Sequence, residues 1–145
     1  MRPLRSAPGV LLCVFEVPEL DTRLENKAEV FVMLVTGPGG ERIPVATSAA
    51  FLSKRPVHQI EVAGRSIVIV TSPAGANRAY DAGGRRFTPR MTDATIADDG
   101  GGAWRVTEEA LVSVTAPAVR LPRLAGQRAF WFGWRAQFPD TRLVR

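Results

Sequence analysis

Glycine-rich breaks recur along the chain at short intervals, leaving little room for anything but strands between them. Gly37-Pro38-Gly39-Gly40, Ala63-Gly64-Arg65, Ala82-Gly83-Gly84 and Asp98-Asp99-Gly100-Gly101-Gly102 each separate two short runs of β-forming residues. Turn residues at such spacing mark a β-rich domain built from successive hairpins. Val30 to Thr36 is a dense β-former run, and Arg42 to Ala46 reads as its return strand. Pro44 has no N–H to give a ladder, so that return strand is expected at a sheet edge. Residues 47–54 read as a short helix, with Thr47 or Ser48 as N-cap and Pro56 as its stop.

Val57 to Val62 and Ser66 to Thr71 form the next expected hairpin. Ile60 and Val62 alternate with Gln59 and Glu61, which predicts one wet face, whereas Ile67-Val68-Ile69-Val70 is apolar throughout and predicts a central strand covered on both sides. Arg78 to Asp81 and Arg85 to Thr88 read as a compact hairpin pairing Tyr80 with Phe87, and Thr95 to Ala97 with Ala103 to Thr107 as another. Residues 116–126, which contain Pro117 and Pro122, read as an irregular crossing loop. Residues 127–138 are the best helix candidate, with Phe130, Trp131, Trp134 and Phe138 on one stripe. Residues 10–17 read as the first strand. The expected fold class is α+β and β-rich: antiparallel hairpins in one or two packed sheets, a short helix near 47–54 and a C-terminal aromatic helix near 127–138.

Composition limits what this architecture can do. At 145 residues with 46% hydrophobic and 23% charged, the chain has the size and apolar content of a single globular domain, which excludes disorder. No apolar run approaches the roughly 18 residues of a membrane span. The single cysteine excludes a disulfide framework, an iron–sulfur cluster and a multi-cysteine zinc site, and the single histidine excludes a His-rich cluster. We therefore expect no metal and no cofactor. The net charge is +5, yet the arginines are scattered and the one adjacent pair, Arg85-Arg86, follows a glycine turn. That distribution argues for a solvated basic surface and against a nucleic-acid-binding patch.

The N-terminus resembles an export signal only superficially. Its apolar core, Val10 to Phe15, falls short of the roughly 7–15 residues required, Glu16 follows at once, and bulky Leu12 precedes Cys13. The chain as given reads as a soluble cytoplasmic protein, or as an exported one if its true start lies upstream.

Catalytic signals are weak. Ser72 follows the central strand, but the string Val70-Thr71-Ser72-Pro73-Ala74 lacks the G-x-S-x-G elbow. Pro73 has no N–H to serve an oxyanion. His58 is the sole available imidazole, with nothing local to orient it, and Val57 and Gln59 beside it supply no metal partner. Asp93, Asp98 and Asp99 lack the alternating frame of a calcium loop and read as solvated hairpin tips. Gly37 to Glu41 lacks the Gly-Lys-Ser/Thr ending of a phosphate loop.

The order of motifs from Arg42 onward resembles domain-of-unknown-function family 3179, found in bacteria and archaea. The similarity rests on Arg42-Ile43-Pro44-Val45, on Arg55-Pro56-Val57-His58-Gln59, and on Ala63-Gly64-Arg65 leading into Ile67 to Thr71. It continues through Arg78-Ala79-Tyr80-Asp81, Asp99 to Trp104, and the closing Phe130-Trp131-Phe132-Gly133-Trp134 with Phe138-Pro139-Asp140-Thr141, spanning about residues 28–143. Where the family pattern places Cys-Pro-x-Cys after the central strand, this chain has Ser72-Pro73-Ala74-Gly75. The resemblance thus implies a degenerate member: serine forms no disulfide, so two-thiol exchange or thiolate metal binding at this bend is lost.

Three roles follow for the chain. The favoured one is a binding or structural domain without catalysis, with no catalytic residue assigned. A second is an enzyme or small-ligand-binding protein that uses the 72–78 loop, with Ser72, Arg78 as an anion clamp and His58 as acid or base. The third is a docking module that meets another protein through Trp131 and Trp134. The expected partners are accordingly a small anionic ligand or another protein.

Overall fold

The computed structural model describes Leu24 and residues 27–144. The chain opens with β1 (Glu29–Thr36) and β2 (Arg42–Ser48), followed by α1 (Ala49–Lys54). Then come β3 (Val57–Val62), β4 (Arg65–Thr71), β5 (Asn77–Asp81), β6 (Phe87–Thr92), β7 (Thr95–Asp98), β8 (Ala103–Val106) and β9 (Ala110–Ser113). It closes with β10 (Arg120–Leu124), β11 (Gln127–Phe130), α2 (Trp131–Gln137) and β12 (Arg142–Val144). The β-rich α+β architecture expected from the glycine spacing is present, as two sheets and two short helices.

One sheet has the order β11-β1-β2-β12, antiparallel except for the β12–β2 pair. The other has the order β3-β4-β5-β10-β9-β8-β7-β6 and is antiparallel throughout. This larger sheet curls until its two end strands meet, and a side chain completes the closure. Gln59 on β3 donates through Nε2 to Arg85 O at 2.6 Å and accepts at Oε1 from Phe87 N at 2.9 Å. Arg85 O, just before β6, and Phe87 N, its first amide, are thereby satisfied by an amide side chain instead of a ladder, which ties the two end strands together.

Alternation along each strand divides the core into three layers. Val57, Val68, Val70, Tyr80, Ile96, Trp104, Leu111 and Leu121 fill the interior of the curled sheet. Ile67, Ile69 and Ala79, on the opposite face of the same strands, pack against Phe31, Met33 and Val45 of the smaller sheet, with Leu52 from α1. The far side of the smaller sheet, through Val30, Val32 and Ala46, is covered by Trp131 and Trp134 of α2. β4 is therefore covered on both faces, as its unbroken apolar run predicts. Helix α1 begins where expected: the Ser48 hydroxyl accepts from Phe51 N at 3.2 Å, an N-cap that stabilises a helix start by about 1 kcal/mol.

Several sequence expectations are corrected. Tyr80 does not pair with Phe87. It lies between Val68 of β4 and Arg123 of β10, so both edges of β5 are taken, and β6 pairs with β7 at the opposite end of the sheet. Gly83 permits the departure: its φ is 60°, and a Cβ there would stand 2.8 Å from Leu121 Cδ2. Residues 120–124, inside the expected crossing loop, form β10, and residues 127–130, expected as helix, form β11 against β1. There the open edge of β1 outweighs helix propensity, and the chain turns into α2 only where Trp131 N donates to Ala28 O at 2.8 Å. β2 is not an edge strand, although β12 first pairs with it at Val45 and never reaches Pro44. The expected strand at residues 10–17 and Cys13 lie outside the described residues.

Candidate functional site

One end of the curled sheet opens into a cavity of about 230 Å³. Its floor is apolar, made by Val70 at the end of β4, Met91 on β6 and Val106 on β8. The β4–β5 loop forms one side through Ser72, Pro73 and Ala76, with Arg78 at the start of β5, and the β6–β7 turn forms the other through Asp93 and Ala94. Following the sheet one way, β3 lies between these two sides; following it the other way, β10, β9 and β8 do. The cavity is thus bounded by loops from different walls over a ready-made hydrophobic floor, which is the usual build of a small-molecule site.

Ser72 shapes its own loop. Its N–H donates to Ala76 O and its carbonyl accepts from Gly75 N, each at 2.9 Å, while its Oγ accepts from Ala76 N at 3.1 Å. The hydroxyl proton is left to donate elsewhere. From outside, Arg128 of β11 pins the same loop: its guanidinium donates to Gly75 O at 3.0 Å, to Asn77 Oδ1 at 2.7 Å and to Glu29 Oε1. A fork-shaped cation with three acceptors in fixed directions is well suited to hold a loop in register with a neighbouring sheet.

Arg78 is half-buried and pairs with Glu108 Oε2 at 3.5 Å. That carboxylate is exposed and takes a closer contact from Arg123 at 2.8 Å, so Arg78 holds the weaker arm of a shared acid. Below it lies Tyr80, fully buried, whose hydroxyl donates to Thr107 O at 2.5 Å. Burial pushes the phenol pKa above its ordinary value, against the opposing pull of Arg78. Across the cavity, Asp93 and Ala94 both adopt left-handed backbone, with φ of 52° and 57°. Asp tolerates that region, whereas for Ala it costs about 1 kcal/mol. The turn is held by Val106 N donating to Ala94 O at 2.8 Å.

The structure brings Ser72 and Arg78 to one cavity and leaves His58 outside it. Val57 on β3 faces the curled sheet's interior, so His58 faces the other way, toward α1. Its ring meets Phe51 edge-on at 4.8 Å, and burial, then Arg55, hold its pKa below 6.5. Trp131 and Trp134 are 0% and 8% exposed and belong to the core, with Trp134 Nε1 donating to Thr141 Oγ1 at 2.8 Å. The apolar surface where β11 runs into α2 is Phe130, the last residue of β11, and Phe132 of α2, 52% and 50% exposed, with ring centroids 6.3 Å apart. Asp98 is no loose hairpin tip: it accepts from Gly100 N, Gly102 N and Trp104 Nε1, and the Trp104 bond is the leading cause of its lowered pKa.

Met91, Asp93, Ala94 and Val106 also line the cavity and are not among the residues that the sequence pattern singles out for this site. A two-residue Asp93-Ala94 turn between Thr92 and Thr95 is the signal that could have found them, since Asp-Gly in that place marks a tight hairpin. Chemically the site can attract an anion through Arg78 and hydrogen-bond it through Ser72, over an apolar floor. No imidazole stands within it to activate the hydroxyl. Among the described residues no group of three His, Cys, Asp or Glu side chains could hold a metal ion, and no helix is long and apolar enough to cross a membrane.

A family model described as "Protein of unknown function (DUF3179)" matches residues 11–141. Neither the curated proteins nor the solved structures yield a match.

Proposed function

Because the chain belongs to the DUF3179 family of proteins of unknown function, we propose that this member is a non-catalytic binding domain whose ligand is a small anion held at the open end of the curled sheet. The observation that carries this is the cavity of about 230 Å³, with Ser72 and Arg78 on its polar side and Val70, Met91 and Val106 beneath. Among the described residues the half-buried Arg78 guanidinium makes one ion pair, to an exposed and shared carboxylate, so it is available to an incoming anion at little cost. The Ser72 proton supplies a second donor. Binding without turnover fits the bend itself, since Ser72-Pro73-Ala74-Gly75 offers no thiol and His58 is turned away.

The test is a calorimetric titration with pentanoate, a carboxylate on a short apolar chain. Binding is expected, and Arg78→Gln should weaken it about 10-fold or more, since hydrogen bonds to charged groups contribute about 1.5–3 kcal/mol. His58→Gln should leave the affinity unchanged. Absence of pentanoate binding, or equal binding by the Arg78→Gln variant, would overturn the proposal.

A further inference from the structure

We infer that the ligand of this cavity is a small zwitterion: a carboxylate and an ammonium group carried on a short apolar body, as in an amino acid. The inference rests on the binding role proposed above and names its ligand class.

The two sides of the cavity carry opposite charges that do not neutralise each other. Arg78 pairs with Glu108, not with Asp93. Asp93 makes no ion pair among the described residues, and it stands on the rim opposite the Arg78 side, in the β6–β7 turn. A simple carboxylate drawn to Arg78 and Ser72 would meet the Asp93 carboxylate as a like charge. A dianion would meet it more strongly, and a simple amine could use Asp93 but not Arg78. A molecule with both charges satisfies both sides, while its hydrocarbon part covers Val70, Met91 and Val106. Discrimination of this kind comes as much from the charge that repels the wrong ligand as from the one that attracts the right one. Asp93 is exposed, so its contribution is that of a surface charge and is reduced by salt.

The test compares 5-aminopentanoate and leucine with pentanoate and pentylamine by titration at low ionic strength. At least one of the two zwitterions should bind about fivefold more tightly than pentanoate, with pentylamine weakest. Asp93→Asn should abolish that advantage while leaving pentanoate binding equal or stronger; Asn also tolerates the left-handed backbone there, so the turn is preserved. If pentanoate binds and neither zwitterion binds more tightly, the zwitterion inference falls and the anion-binding role stands. If the advantage survives Asp93→Asn, the assignment to Asp93 is overturned. If none of the four binds, both fall.

Discussion

Gln59 closes the curled sheet, and its removal has a calculable cost. Its amide meets three groups: Ser66 Oγ and Arg85 O, each at 2.6 Å, and Phe87 N at 2.9 Å. Gln59→Ala strips partners from two main-chain groups on the facing segment. Each buried polar group left unsatisfied costs about 1–3 kcal/mol. The site is half-buried, so water recovers part of that, and the net destabilisation should be about 2–3 kcal/mol. Urea denaturation monitored by intrinsic tryptophan fluorescence reads the stability, and hydrogen exchange at the Phe87 amide reads the closure directly. That amide should lose most of its protection in Gln59→Ala while amides of β4, deep in the sheet, fall only by the global change. Glu61→Ala, at an exposed neighbour, should stay within about 0.5 kcal/mol. A Gln59→Ala protein with unchanged stability and a still-protected Phe87 amide would refute the closure by Gln59.

Asp98→Ala should destabilise by about 2–3 kcal/mol, because it orphans a buried indole N–H and two loop amides; a loss below about 0.5 kcal/mol in denaturant would contradict this. The wild-type advantage over Asp98→Asn should also shrink on acidification, since a carboxylate with lowered pKa contributes its stability above the unfolded value of 3.8 and loses it as pH falls through the folded one. His58 has the same sign for a different reason. Its folded pKa lies below 6.5, so the unfolded chain binds the proton more tightly, and stability should decline as pH falls below about 6.5. His58→Gln should flatten the stability profile across that range, and an unchanged slope would count against it.

Glycine punctuation made the hairpins of β1–β2, β3–β4 and β7–β8 legible, because a turn needs little beyond its own residues. The unbroken apolar run of Ile67 to Val70 likewise announced a strand with two covered faces. What stayed hidden depends on partners distant in sequence. Arg120 to Leu124 contains Pro122 and mostly exposed residues, and it is a strand only because β5 and β9 flank it. Residues 127–130 carry a helix-like pattern, but the free edge of β1 and the Arg128 contacts to Glu29, Asn77 and Gly75 decide otherwise. Gln59 looked like the wet side of an amphipathic strand until the sheet curled β6 onto it. The site shows the same division. Ser72 and Arg78 stand out because they flank one bend, whereas Asp93 joins them only through the closure of the sheet, and strand alternation removes His58 from their company.

If this end of the curled sheet receives a small charged ligand, chemical-shift mapping of the isotopically labelled protein during titration with pentanoate will locate it there. The amide perturbations should concentrate at residues 70–78, 91–94 and 106, and should spare His58 and residues 131–137. Perturbations centred on His58 or α2, or none at all at saturating pentanoate, would contradict that reading.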